Sequence, residues 1–324
     1  MKIACLQLNP ILGAVQHNID NANALLQNIK PGQLDLLVLP ELAFTGYNFP
    51  SLEAIKPFLE PTTAGPTAQW AVNTARRLQC HVTVGYPEVS TSAAGQTMNY
   101  NATVTVSPLG EVLANYRKSF LYYTDETWAY EGPNGSALHS HTATSKPFLC
   151  GQLGRLGHVG HGICMDINPY QFTAPWRDFE FANTMLREGV RLVILSMAWL
   201  THRLPHELEI EPDKPDMETV AYWRERFGPF IESAPREEII VVFANRCGVE
   251  GNTSGTVHVE NGAEAEEGDR VCYAGSSCVM RFQGGSVRLY DRGEGVAILG
   301  KNEQGLLVVD TLQHAKYSLQ PGTI

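Results

Sequence analysis

A chain of 324 residues with 24 Lys and Arg against 34 Asp and Glu carries a formal net charge of −10 and has an isoelectric point near 5.5. That balance excludes a binder of phosphate backbones, so no nucleic acid partner is expected, and an acidic field favours neutral or cationic small ligands. With 44% hydrophobic and 18% charged residues, the composition excludes a disordered chain and allows a sizeable core.

In chain order, Ile3–Leu8 is the first predicted strand, and no signal-peptide core precedes it. Ile19–Ile29 predicts a helix with Ile19, Leu25, Leu26 and Ile29 near one face. Leu34–Leu39, apolar except for Asp35, reads as a buried strand. Pro66 suits the first turn of a helix whose stripe is Ala68, Ala71, Val72, Ala75 and Leu78. Strands follow at His81–Tyr86, Asn101–Val106 and Val112–Arg117, the last two joined by the turn Ser107-Pro108-Leu109-Gly110. Next come a strand at Gly157–Cys164, a helix at Phe179–Glu188 and a strand at Arg191–Met197. A helix around Glu218–Phe227 precedes strands at Ile239–Ala244, Cys272–Phe282 and Leu306–Val309.

Gly132–Ser145 and Gly248–Asp269, rich in Gly and polar residues, read as surface loops, because strand signals resume on both sides. Strands alternating with helices, some joined directly, predict a mixed α/β sandwich in one domain over residues 1–324. The strongest apolar run, Leu192–Leu200, is about half the length of a membrane span, so no membrane partner is expected. Seven cysteines without a CxxC pair fit a reduced, cytoplasmic setting.

Three segments place a reactive side chain at the end of an apolar run. Leu36-Leu37-Val38-Leu39-Pro40-Glu41 sets a carboxylate at the rim of a sheet, where partial burial raises its pKa and makes it a usable base. Tyr116-Arg117-Lys118 ends a strand on an ammonium. Gly160-His161-Gly162-Ile163-Cys164-Met165-Asp166 ends a strand on a cysteine at a tight corner, where the following N–H can face a developing oxyanion. Each alone admits a plainer reading: a solvated loop glutamate, a snorkelling surface lysine, a small buried cysteine. His158 and His161 fall on opposite faces of one strand, which argues against a zinc site with Cys164.

Together these segments resemble the nitrilase superfamily of carbon-nitrogen hydrolases, whose signatures are a Pro-Glu after a strand, a Tyr/His-Arg-Lys and a Gly-x-x-Ile-Cys-x-Asp. Ile3-Ala4-Cys5-Leu6-Gln7-Leu8-Asn9-Pro10, Tyr100-Asn101-Ala102 and Ala274-Gly275-Ser276-Ser277 extend the likeness over most of the chain. Glu41–Phe49, Tyr116–Tyr122, Cys164–Pro175, Met197–Leu200, Pro215–Met217, Tyr222-Trp223 and Ala244–Gly248 are similar to the fungal branch of protein N-terminal amidases. Where the superfamily usually has an Arg four residues after the cysteine, this chain has Asn168.

The resemblance implies a four-layer α-β-β-α sandwich and a thioester mechanism without metal or organic cofactor. Its implied partners are peptide or protein N-termini bearing Asn or Gln, converted to Asp and Glu as a degradation signal; oligomeric state stays open. Glu41 would be the base, Cys164 the nucleophile, and Lys118 with the Met165 N–H the oxyanion holders. Glu126 fits the spacing of a second, substrate-positioning glutamate, with Asp125 adjacent. Asp166, Glu126 and Asp125 are the candidates to pair with a substrate α-ammonium, with Asp166 also suited to bracing its turn. Tyr47 and Trp199 are candidate pocket walls, although aromatics near strand ends are more often core.

Overall fold

Successive side chains of a strand point to opposite faces, so an apolar strand buried on both sides feeds two cores at once. The computed structural model describes residues 1–91, 95–132, 147–251, 270–293 and 295–320. Its first sheet contains β1 (Lys2–Gln7), β2 (Leu36–Val38), β3 (Glu60–Pro61), β4 (His81–Thr91), β5 (Thr97–Val106) and β6 (Val112–Arg117). The second begins with β7 (Cys150–Gln152), β8 (His158–Ile163), β9 (Leu192–Ser196) and β10 (Ile239–Ala244). A small antiparallel ladder of β11 (Cys247–Glu250) and β12 (Val271–Ala274) stands apart. Then β13 (Cys278–Gln283) and β14 (Ser286–Leu289) extend the second sheet, β15 (Gly305–Asp310) joins β1, and β16 (Tyr317–Ser318) pairs with β14.

Helices α1 (Val15–Leu25), α2 (Leu52–Ile55), α3 (Pro66–Leu78) and α4 (Tyr123–Glu126) belong to the first half of the chain. The second half has α5 (Glu180–Arg187), α6 (Pro205–Glu209), α7 (Met217–Arg226) and α8 (Gly228–Glu232). Strand alternation divides the core into three layers. Ile3, Cys5, Leu36, Val38, Leu192, Ile194, Ile240 and Val242 meet between the two sheets. Ala4, Leu6 and Leu37 point outward against Ala22 of α1 and Ala71, Ala75 and Leu78 of α3. Val193, Leu195, Val241 and Phe243 point the other way, against Phe181 of α5, Trp223 of α7 and Phe230 of α8. Three apolar layers between four layers of elements make the α-β-β-α sandwich. Each fully buried Ile, Leu or Phe in them contributes about 1.5–3 kcal/mol over leaving it exposed.

Several sequence expectations are corrected. The first helix spans Val15–Leu25, four residues earlier than its apolar stripe suggests, because buried Asn18 accepts from the Ile11 N–H (2.9 Å) and donates to the Ile11 and Phe44 carbonyls (both 2.8 Å). The run Cys272–Phe282 is two strands, broken where Gly275 (φ 52°) and Ser276 (φ 60°) adopt left-handed backbone. Gly248 does not open a surface loop: it lies in β11, and Glu250 at that strand's end is buried. Residues 252–269, like 133–146 of the other expected loop, fall outside the described residues. Among the described residues no helix is long and apolar enough to cross a membrane.

Candidate active site

Beyond β2 the chain passes through Leu39-Pro40-Glu41, suspended between the sheets. The Leu39 N–H donates to the Thr83 carbonyl (2.9 Å) in the first sheet, and the Glu41 N–H to the Met197 carbonyl (3.3 Å) just past β9 of the second. Gly85 of β4 makes the passage possible, since a Cβ there would sit 2.6 Å from the Leu42 nitrogen and 2.7 Å from the Glu41 Cα. Glu41 is therefore fully buried, not a solvated loop acid. Burial pushes its carboxyl up; the nearby Lys118 ammonium pulls it back, and the Asp125 carboxylate adds to the rise.

Lys118 follows β6 and is also fully buried, which removes the snorkelling reading. Its backbone N–H donates to the Asn101 carbonyl (2.8 Å), fixing it beside β5. Its Nζ donates to Glu41 Oε1 and Asp125 Oδ2, both at 2.6 Å. Burial alone would favour a neutral amine, but the Asp125 and Glu41 carboxylates overcome it and hold the ammonium well above the usual lysine range. Asp125 is set by the single turn of α4, where its Oδ2 also accepts from the Tyr122 N–H (3.0 Å). Asn101 completes the group: its Nδ2 donates to Glu41 Oε1 (2.6 Å) and to Asp125 Oδ1 (2.9 Å). Two oxygens of the group, Glu41 Oε2 and Asn101 Oδ1, are buried without a hydrogen-bond partner.

Cys164 follows β8 with φ 40°, a left-handed conformation that a non-glycine residue holds only against steric strain, and it opens a 3-10 turn over Cys164–Ile167. Cys164 is 9% exposed. Burial and the Glu41 carboxylate raise its pKa well above the ordinary value, while Lys118 and the Ala198 N–H work to favour the thiolate. Buried Met165 stands second in the turn, where a helical start leaves N–H groups without an intrahelical acceptor. Asp166 holds the corner. Its Oδ1 accepts from the Ser119 (3.1 Å) and Phe120 (2.8 Å) N–H groups, and its Oδ2 from the Ile163 N–H (2.7 Å) and the Tyr116 hydroxyl (2.8 Å). Those four donors tie the cysteine corner, through Ile163, to the segment on both sides of Lys118, through Tyr116, Ser119 and Phe120. Asp166 is thus a brace, not a free partner for a substrate ammonium.

The remaining sequence candidates divide. Tyr47 is buried with its ring centroid 5.7 Å from Lys118 Nζ, and its hydroxyl feels the charges of Asp125, Glu41 and Cys164. Its loop is gripped by Glu250, which accepts from the Tyr47 (3.0 Å) and Asn48 (2.9 Å) N–H groups and the Tyr273 hydroxyl (2.7 Å), and pairs with buried Arg246. Trp199, next to Ala198, is half-buried and packs on Tyr222 (5.2 Å between centroids), and Asn245 Oδ1 accepts from its backbone N–H (2.8 Å). Tyr222 in turn donates to Asn168 Oδ1 (2.6 Å). Glu126 is exposed, facing away from the ring that Asp125 enters. Neighbours on a helical turn point about 100° apart, and here Asp125 turns inward while Glu126 turns to solvent. Asn101, Glu250 and Arg246 carry no role in the sequence reading. For Asn101, an amide inside an apolar strand was the available signal. Among the described residues no group of three or more His, Cys, Asp or Glu is placed to hold a metal ion.

The chain belongs to the Carbon-nitrogen hydrolase family, whose family model matches residues 2–174. More particularly, it is 34% identical over 328 residues to the Protein N-terminal amidase of Schizosaccharomyces pombe, covering 95% of this chain and 98% of that one. The Protein N-terminal amidase of Saccharomyces cerevisiae is 32% identical over 213 residues, 62% of this chain and 45% of that longer one. In three dimensions the chain is similar to a crystal structure of an N-terminal amidase with a Gln-Val peptide, with a TM-score of 0.73 at 22% identity over 95% of this chain and 96% of that one. That likeness shows the nitrilase-type fold.

Proposed function

We propose that this protein deamidates N-terminal Asn and Gln of peptides and proteins to Asp and Glu, releasing ammonia and exposing an acidic first residue that can serve as a degradation signal. One observation carries the reading: a buried Cys164–Glu41–Lys118 set sits in a chain 34% identical, over nearly its whole length, to a Protein N-terminal amidase. Relatives of the same fold have been solved with Asn- and Gln-started peptides, which supports the same substrate class. Residues 1–324 are taken as one catalytic domain.

In this mechanism Glu41 Oε2, the carboxylate oxygen left without a partner, takes the proton of Cys164. The thiolate attacks the carboxamide carbon, and the oxyanion that forms is held by Lys118 Nζ and the Met165 N–H; losing one such donor typically costs about 3–4 kcal/mol. The tetrahedral intermediate collapses, the C–N bond breaks, and Glu41 returns the proton to the departing ammonia, leaving a thioester. Water then gives a proton to Glu41 and its hydroxide adds to the thioester carbon. The C–S bond breaks, the sulfur regains its proton and the acid leaves.

The same geometry favours a free α-ammonium. Two carboxylates against one ammonium give the buried ring one net negative charge, which attracts a cation more strongly there than in water. An acetylated N-terminus lacks that charge and should be rejected by a factor on the order of 10⁴. Ammonia release from Asn-X and Gln-X peptides, their acetylated forms and free glutamine tests the reading. Turnover of free amino peptides alone is expected; equal turnover of blocked peptides, or of free glutamine in preference to peptides, would exclude it.

A further inference from the structure

We propose that Asn101 is a positioning residue for this reaction, a neutral double donor that keeps Glu41 ionised and turns its free oxygen toward the thiol. The inference rests on the reading of Glu41 as the base. Four fully buried side chains form a closed ring: Glu41 Oε1 accepts from Lys118 Nζ, Lys118 Nζ reaches Asp125 Oδ2, Asp125 Oδ1 accepts from Asn101 Nδ2, and Asn101 Nδ2 returns to Glu41 Oε1.

Lys118 is the ring's single cation and is shared between both carboxylates. A second cation in the place of Asn101 would neutralise the ring and weaken the base. An apolar residue would leave both carboxylates short of a donor and favour a trapped proton on one of them. A primary amide avoids both outcomes, because it supplies one N–H to each carboxylate and no charge. Because Oε1 is held by two donors, Oε2 is the oxygen left to receive a proton. When the thiol's proton arrives there, the ring passes from one net negative charge to none.

The groups that face Glu41 come from every neighbouring element: Lys118 after β6, Asp125 in α4, Cys164 after β8, Tyr47 in its own loop and Tyr273 in β12. Lys118 and, from β5, the neutral Asn101 lower the proton affinity of Glu41 through hydrogen bonds. A hydrogen bond to a charged group is worth enough that its loss should move the titration by about one to two pH units. The sign is fixed. Asn101 favours the ionised carboxylate, so its removal raises the pKa and activity must fail at a higher pH on the acid side.

The test is the pH dependence of Cys164 alkylation by iodoacetamide, read by mass spectrometry of the Cys164 peptide, beside kcat/KM for an Asn-started peptide. In Asn101→Ala both acid limbs should rise by about one to two units, with KM within about twofold of wild type. Asn101→Ser, which keeps one donor, should fall between, and it serves if the alanine variant does not fold. A loss equal at every pH, or a serine variant with the wild-type limb, would overturn the proposal. Alkylation needs no substrate, so it reads Asn101 even if the protein does not act on peptide N-termini.

Discussion

Replacing Asp125 by Asn separates the two acids that the sequence leaves side by side. Asp125 and Glu41 each lie 2.6 Å from the same Lys118 Nζ, so their charges fall within about 5 Å of each other. At an effective dielectric constant of about 20 that repulsion is roughly 3 kcal/mol, and it raises the proton affinity of Glu41. The Asn variant keeps the shape but removes this charge, so Glu41 becomes a weaker base and the acid limb of kcat/KM moves to lower pH. The rate at neutral pH should fall by at most about 10²-fold, the limit set by a base weakened by roughly 3 kcal/mol. Exposed Glu126→Gln should stay within about twofold. Steady-state ammonia release from pH 5 to 9 on both variants is the assay. Loss of activity in Glu126→Gln comparable to that in Asp125→Asn, or an acid limb that rises in the latter, would refute the assignment of Asp125 to the ring.

Other variants probe the supports. Gly85→Ala forces a Cβ against the backbone of residues 40–42, so it should cost about 1–3 kcal/mol in urea unfolding and about 10²-fold in kcat, by displacing Glu41. Asp166→Ala strands four buried donors and should destabilise by at least about 4 kcal/mol; Tyr116→Phe, which removes one of them, should cost only about 1 kcal/mol. His161 is buried with its pKa lowered to about 4 by loss of solvation, and it meets Thr105 Oγ1 at 3.0 Å. A depressed histidine contributes stability above its unfolded value near 6.5 and loses it as pH falls through the folded value. About 3 kcal/mol should therefore disappear between pH 6.5 and 4. Chemical denaturation of His161→Gln across that window should give a flatter profile than wild type, and an unchanged slope would show that His161 does not carry the acid sensitivity.

Glu41, Lys118 and Cys164 were legible only together: Glu41 and Cys164 stand where buried runs stop, whereas Lys118 follows the partly exposed β6, and each alone admits a plainer reading. The sandwich was legible in the alternation of strands and helices. Sequence alone could not choose between Asp125 and Glu126, since the choice is made by the orientation of the single turn of α4, which depends on the Tyr122 N–H and Lys118. Asn101 was hidden within a strand where alternation gives a face but not a partner 60 residues away. Glu250 was lost to composition: it heads a polar, glycine-rich stretch, yet long-range contacts with Tyr47, Asn48 and Tyr273 bury it. The break after β12 depends on positive φ at Ser276, a residue whose type does not announce it.

The most direct measurement is intact-protein mass spectrometry after rapid acid quench with an Asn- or Gln-started peptide, run in parallel with the acetylated peptide. The account predicts an adduct of the peptide mass less ammonia, mapped to Cys164, with the free amino peptide only, and none in Cys164→Ala. An equal adduct with the acetylated peptide, or ammonia release that persists in Cys164→Ala, would contradict it.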